Sequence, residues 1–265
     1  MSVLCVSLFG RFHARLEGQV LTSLDTSKVK DLLCYLLLHR HCFHPREKLA
    51  DLMWGDSSTS HSKRYLRKAL WQLRAALDSR AELANNHLLL VEPEWVQINP
   101  QADLWLDVAA FEQAYTIVSG VRGQELDFQQ ALLLLNAVGL YRGSLLEGCY
   151  QEWCLYERER FQRMYLAMLD KLMGYCEAHR EYETGMACGM RILRYDRAHE
   201  RTHWRMMRLY YLAGDRTAAL RQYEQCRTNL DKELDVAPAE RTVALYRQIR
   251  SDRLHDQVPA SMFQL

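Results

Sequence analysis

Between Ser58 and Arg80 the chain reads STSHSKRYLRKALWQLRAALDSR, and the spacing of its leucines leaves few ways to fold it. Leu66, Leu70, Leu73 and Leu77 recur at i, i+4, i+7 and i+11, which lines them along one side of an α-helix, with Ala69 beside them. The opposite side is basic. Arg64, Arg67 and Lys68 project there with Trp71, while Lys63 and Arg74 flank the stripe on stems long enough to carry their charge outward. Such a helix can bury one face and offer the other to a polyanion. A charge run by itself is most often a solvated surface, so its meaning depends on the surrounding sequence.

At 265 residues the chain suggests two domains or one large one, and 49% hydrophobic content is ample for buried cores. Its net charge of +1 does not advertise nucleic acid, but the charge is unevenly placed. Residues 1–106 carry 13 Lys+Arg against 11 Asp+Glu, and residues 107–265 carry 21 against 22. Six of those first 13 cations lie between Lys63 and Arg80 beside a single acid, Asp78, which is the clustered footprint that DNA requires. Eight cysteines (Cys5, Cys34, Cys42, Cys149, Cys154, Cys176, Cys188, Cys226) are scattered without a CxxC pair and fall mostly in apolar helical patterns, as reduced core thiols do. Val3 to Phe9 lacks a basic lead-in and a cleavage site, and the longest apolar run, Leu32–Leu38, is too short to span a bilayer. The expectation is a soluble cytoplasmic protein with no membrane contact.

Two short runs, residues 3–9 and 11–16, are split by Gly10 and closed by Gly18, and predict a small antiparallel sheet. Asp25 or Thr26 can cap a helix whose Val29, Leu32, Leu33, Leu36 and Leu37 keep helical spacing. Pro45 suits the first turn of a second helix with Leu49, Leu52 and Met53, ending at Trp54 and Gly55. The basic helix follows from Asp56 or Ser58, and Leu88–Val91 with Trp95–Ile98 make a hairpin around Glu92, Pro93 and Glu94. Three helices closed by a β-hairpin form a winged helix-turn-helix. In that geometry the third helix enters the major groove, where arginines donate two hydrogen bonds to guanine. Arg64, Arg67, Lys68 and Trp71 are therefore candidates for base edges or adjacent phosphates, and Lys28, Arg46 and Lys63 for phosphates.

From Asp107 onward the pattern is nearly all helical, with breaks expected at Gly120–Gly123, Arg142–Gly148, Arg194–Ala198, Gly214 and Pro238. Tyr175 and Tyr210 stand 35 residues apart, as do Cys188 and Tyr223, and Tyr210, Gly214, Ala219 and Tyr223 have the spacing of a tetratricopeptide helix pair. The fold class expected is mainly α with a small β component, a winged helix-turn-helix followed by a tetratricopeptide-like helical domain that serves as a docking or oligomerisation scaffold.

Other chemistry finds little support. His39, His41, Cys42 and His44 are a dense run of possible ligands, but structural zinc needs four ligands in a closed arrangement and no second cluster accompanies them, so surface histidines and no metal are expected. No GxxxxGK[ST], GxGxxG or GxSxG is present, and nothing points to an enzyme or a cofactor. Glu157, Glu159 and the arginines near them read as the solvent face of one long helix with charge pairs at helical spacing.

The order of LFGRFHARLEG, TSKVKDLLCYLLLH, PREKLADLMWGD, LRKALWQLRAAL, WLDVAAFE, LYRGSLLEG, EWCLYERERF and YLAGDRTAALRQYEQCRTNLDKELDVAP closely resembles the streptomyces antibiotic regulatory protein family over roughly residues 3–250. These are bacterial activators that join a winged helix like those of OmpR and PhoB to a tetratricopeptide-like bacterial transcriptional activator domain. The resemblance implies binding to direct repeats in double-stranded promoter DNA, as a homodimer there, and contact with RNA polymerase holoenzyme at the nucleoid. It divides the chain into a winged-helix domain at 1–106, expected to fold alone, an activator domain at 107–252 and a flexible tail at 253–265. Two departures matter. Glu92 and Glu94 make the wing tip acidic where the family's is often basic, and Asp235 replaces a common glycine, although Asp tolerates the left-handed conformation needed there. The alternative function is an interaction scaffold whose winged helix docks protein, and a basic free face on the third helix argues against it.

Overall fold

The computed structural model describes residues 4–21, 27–78 and 87–253. They fall into two compact units, Met1–Ala114 with Gly139–Gln162, and Tyr115–Val138 with Arg163–Leu265.

In the first unit β1 (Leu4–Ser7) pairs antiparallel with β2 (His13–Leu16), which pairs with β3 (Gln19–Val20). Leu4 and Val6 alternate inward, as the pleat requires. Gly10 and Gly18 sit in the turns at φ 79° and 80°, a region costly for other residues. A strand not expected from the sequence, β7 (Leu104–Leu106), joins β1 in parallel register, Leu4 opposite Leu104. The segment between them supplies the long crossover that a parallel pair needs.

That crossover is the winged helix. In α1 (Ser27–Leu38) Val29, Leu32, Leu33, Leu36 and Leu37 are all buried, while its expected caps, Asp25 and Thr26, lie outside the described residues. Pro45 ends the two-residue β4 (His44–Pro45), directly before α2 (Arg46–Trp54). Leu49, Ala50 and Met53 form the buried face of α2; Leu52 falls at its rim and is exposed, against expectation. In α3 (Thr59–Asp78) the whole leucine stripe is buried, and Ser62 hydrogen-bonds the Ser58 carbonyl ahead of the first turn. The expected extension of this helix through Ser79 and Arg80 lies outside the described residues. The hairpin is β5 (Leu89–Val91) with β6 (Trp95–Ile98), in register Leu89 opposite Ile98, and β4 adds a third strand through His44 opposite Val96.

The first unit continues past residue 106. Asp107 opens α4 (Asp107–Ile117), and its buried carboxylate accepts the backbone N–H groups of Leu8 and Phe9 at 2.9 and 3.0 Å and that of Val108 at 2.7 Å. Burial pushes this carboxyl up, the three N–H donors opposing. The Phe9 ring packs on Phe111, Tyr141 and Phe161 at 4.9, 4.9 and 5.4 Å. Arg158 donates to the carbonyls of Leu145, Leu146 and Cys149 and so ties down the loop before α6 (Glu152–Ala178).

The second unit draws on α5 (Phe128–Leu140), the later turns of α6, and α7 (Tyr182–Leu193), α8 (Glu200–Leu212), α9 (Arg216–Leu234) and α10 (Glu240–Arg250). The five expected breaks all separate helices. A further break at residues 179–181 has neither Gly nor Pro; there Arg180 itself adopts φ 61°. Tyr175 and Tyr210 lie on α6 and α8, Cys188 and Tyr223 on α7 and α9, so the 35-residue repeat falls on successive antiparallel pairs. Met207, Ala219, Tyr223, Leu245 and Ile249 make one core there. Asp215 caps α9 through the Ala218 N–H, and Asp235 ends it in the left-handed conformation at φ 54°, as expected. Among the described residues no helix is long and apolar enough to cross a membrane.

Candidate nucleic-acid interface

The register that buries the leucines of α3 turns Arg64, Arg67, Lys68 and Trp71 to solvent on the other side, with Trp71 69% exposed. No described carboxylate pairs with Arg64, Arg67 or Lys68, so their charge is undiminished. Arg74 is exposed as well, and Lys28 is exposed in the first turn of α1. The other two candidates are engaged. Lys63 reaches Glu47 of α2 at 2.6 Å, both side chains being largely exposed, and the hydrogen bond together with the lysine charge holds the Glu47 carboxyl below its usual range. A surface pair of this kind contributes little to stability. Arg46 is half-buried, its Nη1 donating to the Glu92 carbonyl at 3.1 Å and its backbone N–H to that of Glu94 at 2.9 Å, so it braces the wing. Glu92 and Glu94 themselves stay exposed and leave the tip acidic.

Two exposed groups were missed from the sequence. Tyr65, next to Arg64 and off the leucine stripe, is 43% exposed with the His61 and Trp54 rings at 6.2 and 6.3 Å. Lys48 is exposed on α2. The helical wheel contained the signal for Tyr65, since any residue off the stripe faces outward.

Two expectations need correction. Of the histidines between the first helices only His41 is exposed; His44 is buried with Nε2 at 3.1 Å from the His39 carbonyl, and both rings pack on Tyr35 at 4.5 and 5.4 Å. Burial lowers the His39 pKa. Among the described residues no group of three His, Cys, Asp or Glu is placed to hold a metal. Glu157 is likewise no simple solvent residue. It pairs with Arg160 at 2.7 Å, Arg160 pairs with Glu112 at 2.7 Å, and Glu112 also takes Arg40 at 2.6 Å, a chain of half-buried charges linking the turn after α1 to α4 and α6. Coulombic attraction of two guanidiniums to one carboxylate offsets the desolvation that favoured a surface site.

The second unit has a groove of about 510 Å³ with Met190, Met206 and Tyr210 on its apolar part and Arg194, Arg197 and Arg221 around them. Among the described residues none of those lining it is a carboxylate.

Residues 106–250 match the model of the bacterial transcriptional activator domain, more than half of the chain. The transcriptional regulatory protein MoaR1 of Mycobacterium bovis and that of Mycobacterium tuberculosis are each 27% identical over 260 residues, covering 92% of this chain and 78% of theirs. The solved structure of Mycobacterium tuberculosis EmbR in complex with a low-affinity phosphopeptide superposes with a TM-score of 0.72 at 18% identity, over 97% of this chain and 67% of that one. With that domain matched, and a winged helix ahead of it, the chain belongs to the bacterial transcriptional activator domain family, with the organisation of the streptomyces antibiotic regulatory proteins.

Proposed function

We propose that the protein is a sequence-specific DNA-binding transcriptional activator. The observation that carries this reading is the outer face of α3, where Arg64, Arg67 and Lys68 stand exposed, with no neutralising carboxylate among the described residues, on the element that a winged helix inserts into the major groove. In this reading Arg64, Arg67, Lys68 and Trp71 meet base edges or adjacent phosphates. Lys28 and Lys63 meet phosphates, Lys63 by exchanging Glu47 for DNA, and Arg46 does so only if it leaves the wing. The match over 106–250 supports treating 107–252 as the activating domain. Its arginine-lined groove suits an acidic protein segment, and we assign it to RNA polymerase holoenzyme. Two copies occupy direct repeats at the promoter, in the cytoplasm at the nucleoid.

The test is selection of bound fragments from a genomic library with the purified full chain, followed by footprinting and transcription in vitro on a selected promoter. A recurring motif in direct repeat, with raised transcription, is the expected result. The exposed Trp71 and the acidic wing tip favour one rival, a protein dock. That rival gains if selection returns no motif.

A further inference from the structure

A cleft of about 480 Å³ in the first unit, apart from the α3 face, is lined by Arg11, Lys30, Asp31, Cys34, Glu147 and Cys149, with neighbouring loop residues completing it. Cys149 is half-buried and lines this cleft, while Cys154, in the first turn of α6, is buried. The two thiols are in hydrogen-bonding contact, and the Arg158 guanidinium lies beside the pair, donating to the Cys149 backbone carbonyl at 3.0 Å and lying 3.9 Å from Cys154 Sγ.

We propose that Cys149 is a modification site for small hydroperoxides and that Cys154 resolves the oxidised product into a disulfide.

The surroundings favour the thiolate at Cys149. The contact with Cys154 lowers the Cys149 pKa to about 7 against the opposing desolvation, and the Gln151 N–H and Arg158 act in the same direction as Cys154. Elsewhere burial pushes thiols up, Cys176 and Cys226 to about 12, Cys188 to about 11, and Cys34 well above its usual value. Cys154 is raised too, its contact with Cys149 being the first cause, so it stays protonated while Cys149 reacts. In the first step the Cys149 thiolate attacks one peroxide oxygen, and the O–O bond breaks. The leaving oxygen takes a proton from solvent and departs as an alcohol or water, and the sulfur, oxidised by two electrons, becomes a sulfenic acid. In the second step the Cys154 sulfur attacks the sulfenic sulfur, the S–O bond breaks, and the hydroxyl leaves as water with the Cys154 proton. The hydroperoxide is the sole oxidant. The loop after Arg142 is pinned by the antiparallel bridge of Leu145 to Phe9 and by Arg158, whereas residues 149–151 between that bridge and α6 lie outside regular structure and supply the small approach that an S–S bond requires.

The test uses the full chain with stoichiometric hydrogen peroxide at neutral pH. Trypsin releases Gly143–Arg158 as one peptide holding both thiols, so the disulfide shows as a loss of two hydrogens, restored by dithiothreitol. We expect this loss at a rate on the order of tenfold above oxidation of the exposed Cys42. In Cys154→Ser, Cys149 stops as the sulfenic acid and is captured by dimedone; in Cys149→Ser, the peptide is inert. Oxidation of Cys42 ahead of Cys149, a Cys34–Cys149 cross-link in place of the internal disulfide, or no dimedone adduct in Cys154→Ser each overturns the proposal.

Discussion

In the function proposed above, DNA recognition rests on Arg64 and Arg67. Each lies off the leucine stripe, so its removal should leave the fold intact. Arg67→Ala or Arg64→Ala should weaken specific binding by roughly 1–3 kcal/mol where the residue makes a bidentate base contact, with the melting temperature unchanged. Unaltered operator affinity in both variants, measured by titration of a selected site, removes α3 as the reader. A buried histidine gives a second expectation at this scale. His203 is 1% exposed, with Nε2 at 2.8 Å from the Arg197 carbonyl and Nδ1 at 2.6 Å from Gln222 Nε2. A carbonyl can only accept, so Nε2 carries the proton and Nδ1 accepts from the amide, which makes the ring neutral. Burial lowers its pKa below 6.5. As pH falls through that value the unfolded chain takes up a proton that the folded one refuses, so the stability His203 confers at neutral pH is lost on acidification. Thermal melts from roughly pH 7 to 5.5 should show a falling midpoint, and His203→Gln should flatten the slope. An equally steep slope in the variant shows that other groups titrate.

Two elements approach closely where a turn of tight helix, Gly123–Glu125, meets α6 within the second unit. A methyl group on Gly174 would stand 3.2 Å from Gly123 Cα and 3.3 Å from Gln124 N. Backbone cannot rotate away as a side chain does, so Gly174→Ala should destabilise the protein by about 1–3 kcal/mol through overpacking. Gly139, in α5, has nothing within 4 Å, and Gly139→Ala should be neutral or stabilising by up to about 1 kcal/mol, since alanine favours the helix. Denaturant melts of the two variants make the comparison, and equal stabilities would mean that the contact at Gly174 is soft.

For the molecule as a whole, the sequence-level boundary at residue 106 and the compact unit differ in what they leave behind. A fragment of residues 1–106 lacks Asp107, the acceptor for the Leu8 and Phe9 N–H groups, and lacks Phe111, Tyr141 and Phe161, which cover Phe9. Each buried donor left unpaired costs about 1–3 kcal/mol. The fragment is therefore expected to melt without a sharp transition, while residues 1–162 regain one. Calorimetry of both pieces decides it: a cooperative melt of 1–106 at the temperature of the longer piece contradicts this account. Salt dependence tests the intact protein on its operator. Lys63→Ala should reduce the slope of log affinity against log salt by about 0.9 if that lysine exchanges Glu47 for phosphate, and an unchanged slope takes Lys63 out of the interface.

Local patterns were legible because they report which side of an element faces the core. The stripe from Leu66 to Leu77, the inward residues of α1, the β5–β6 hairpin and the left-handed end at Asp235 all follow from period, turn chemistry and φ preference within a few residues. The repeat at Tyr175 and Tyr210 was legible for the same reason, one helix pair at a time. What only the tertiary structure decided is partnership across long separations. Asp107 meets Leu8 99 residues away, Arg40 meets Glu112 at 72, and β7 pairs with β1 across the entire winged helix. A carboxylate beside a helix start reads the same whether it caps its own turn or receives a distant strand, because local sequence states a group's capacity to accept a hydrogen bond and only folding supplies the donor.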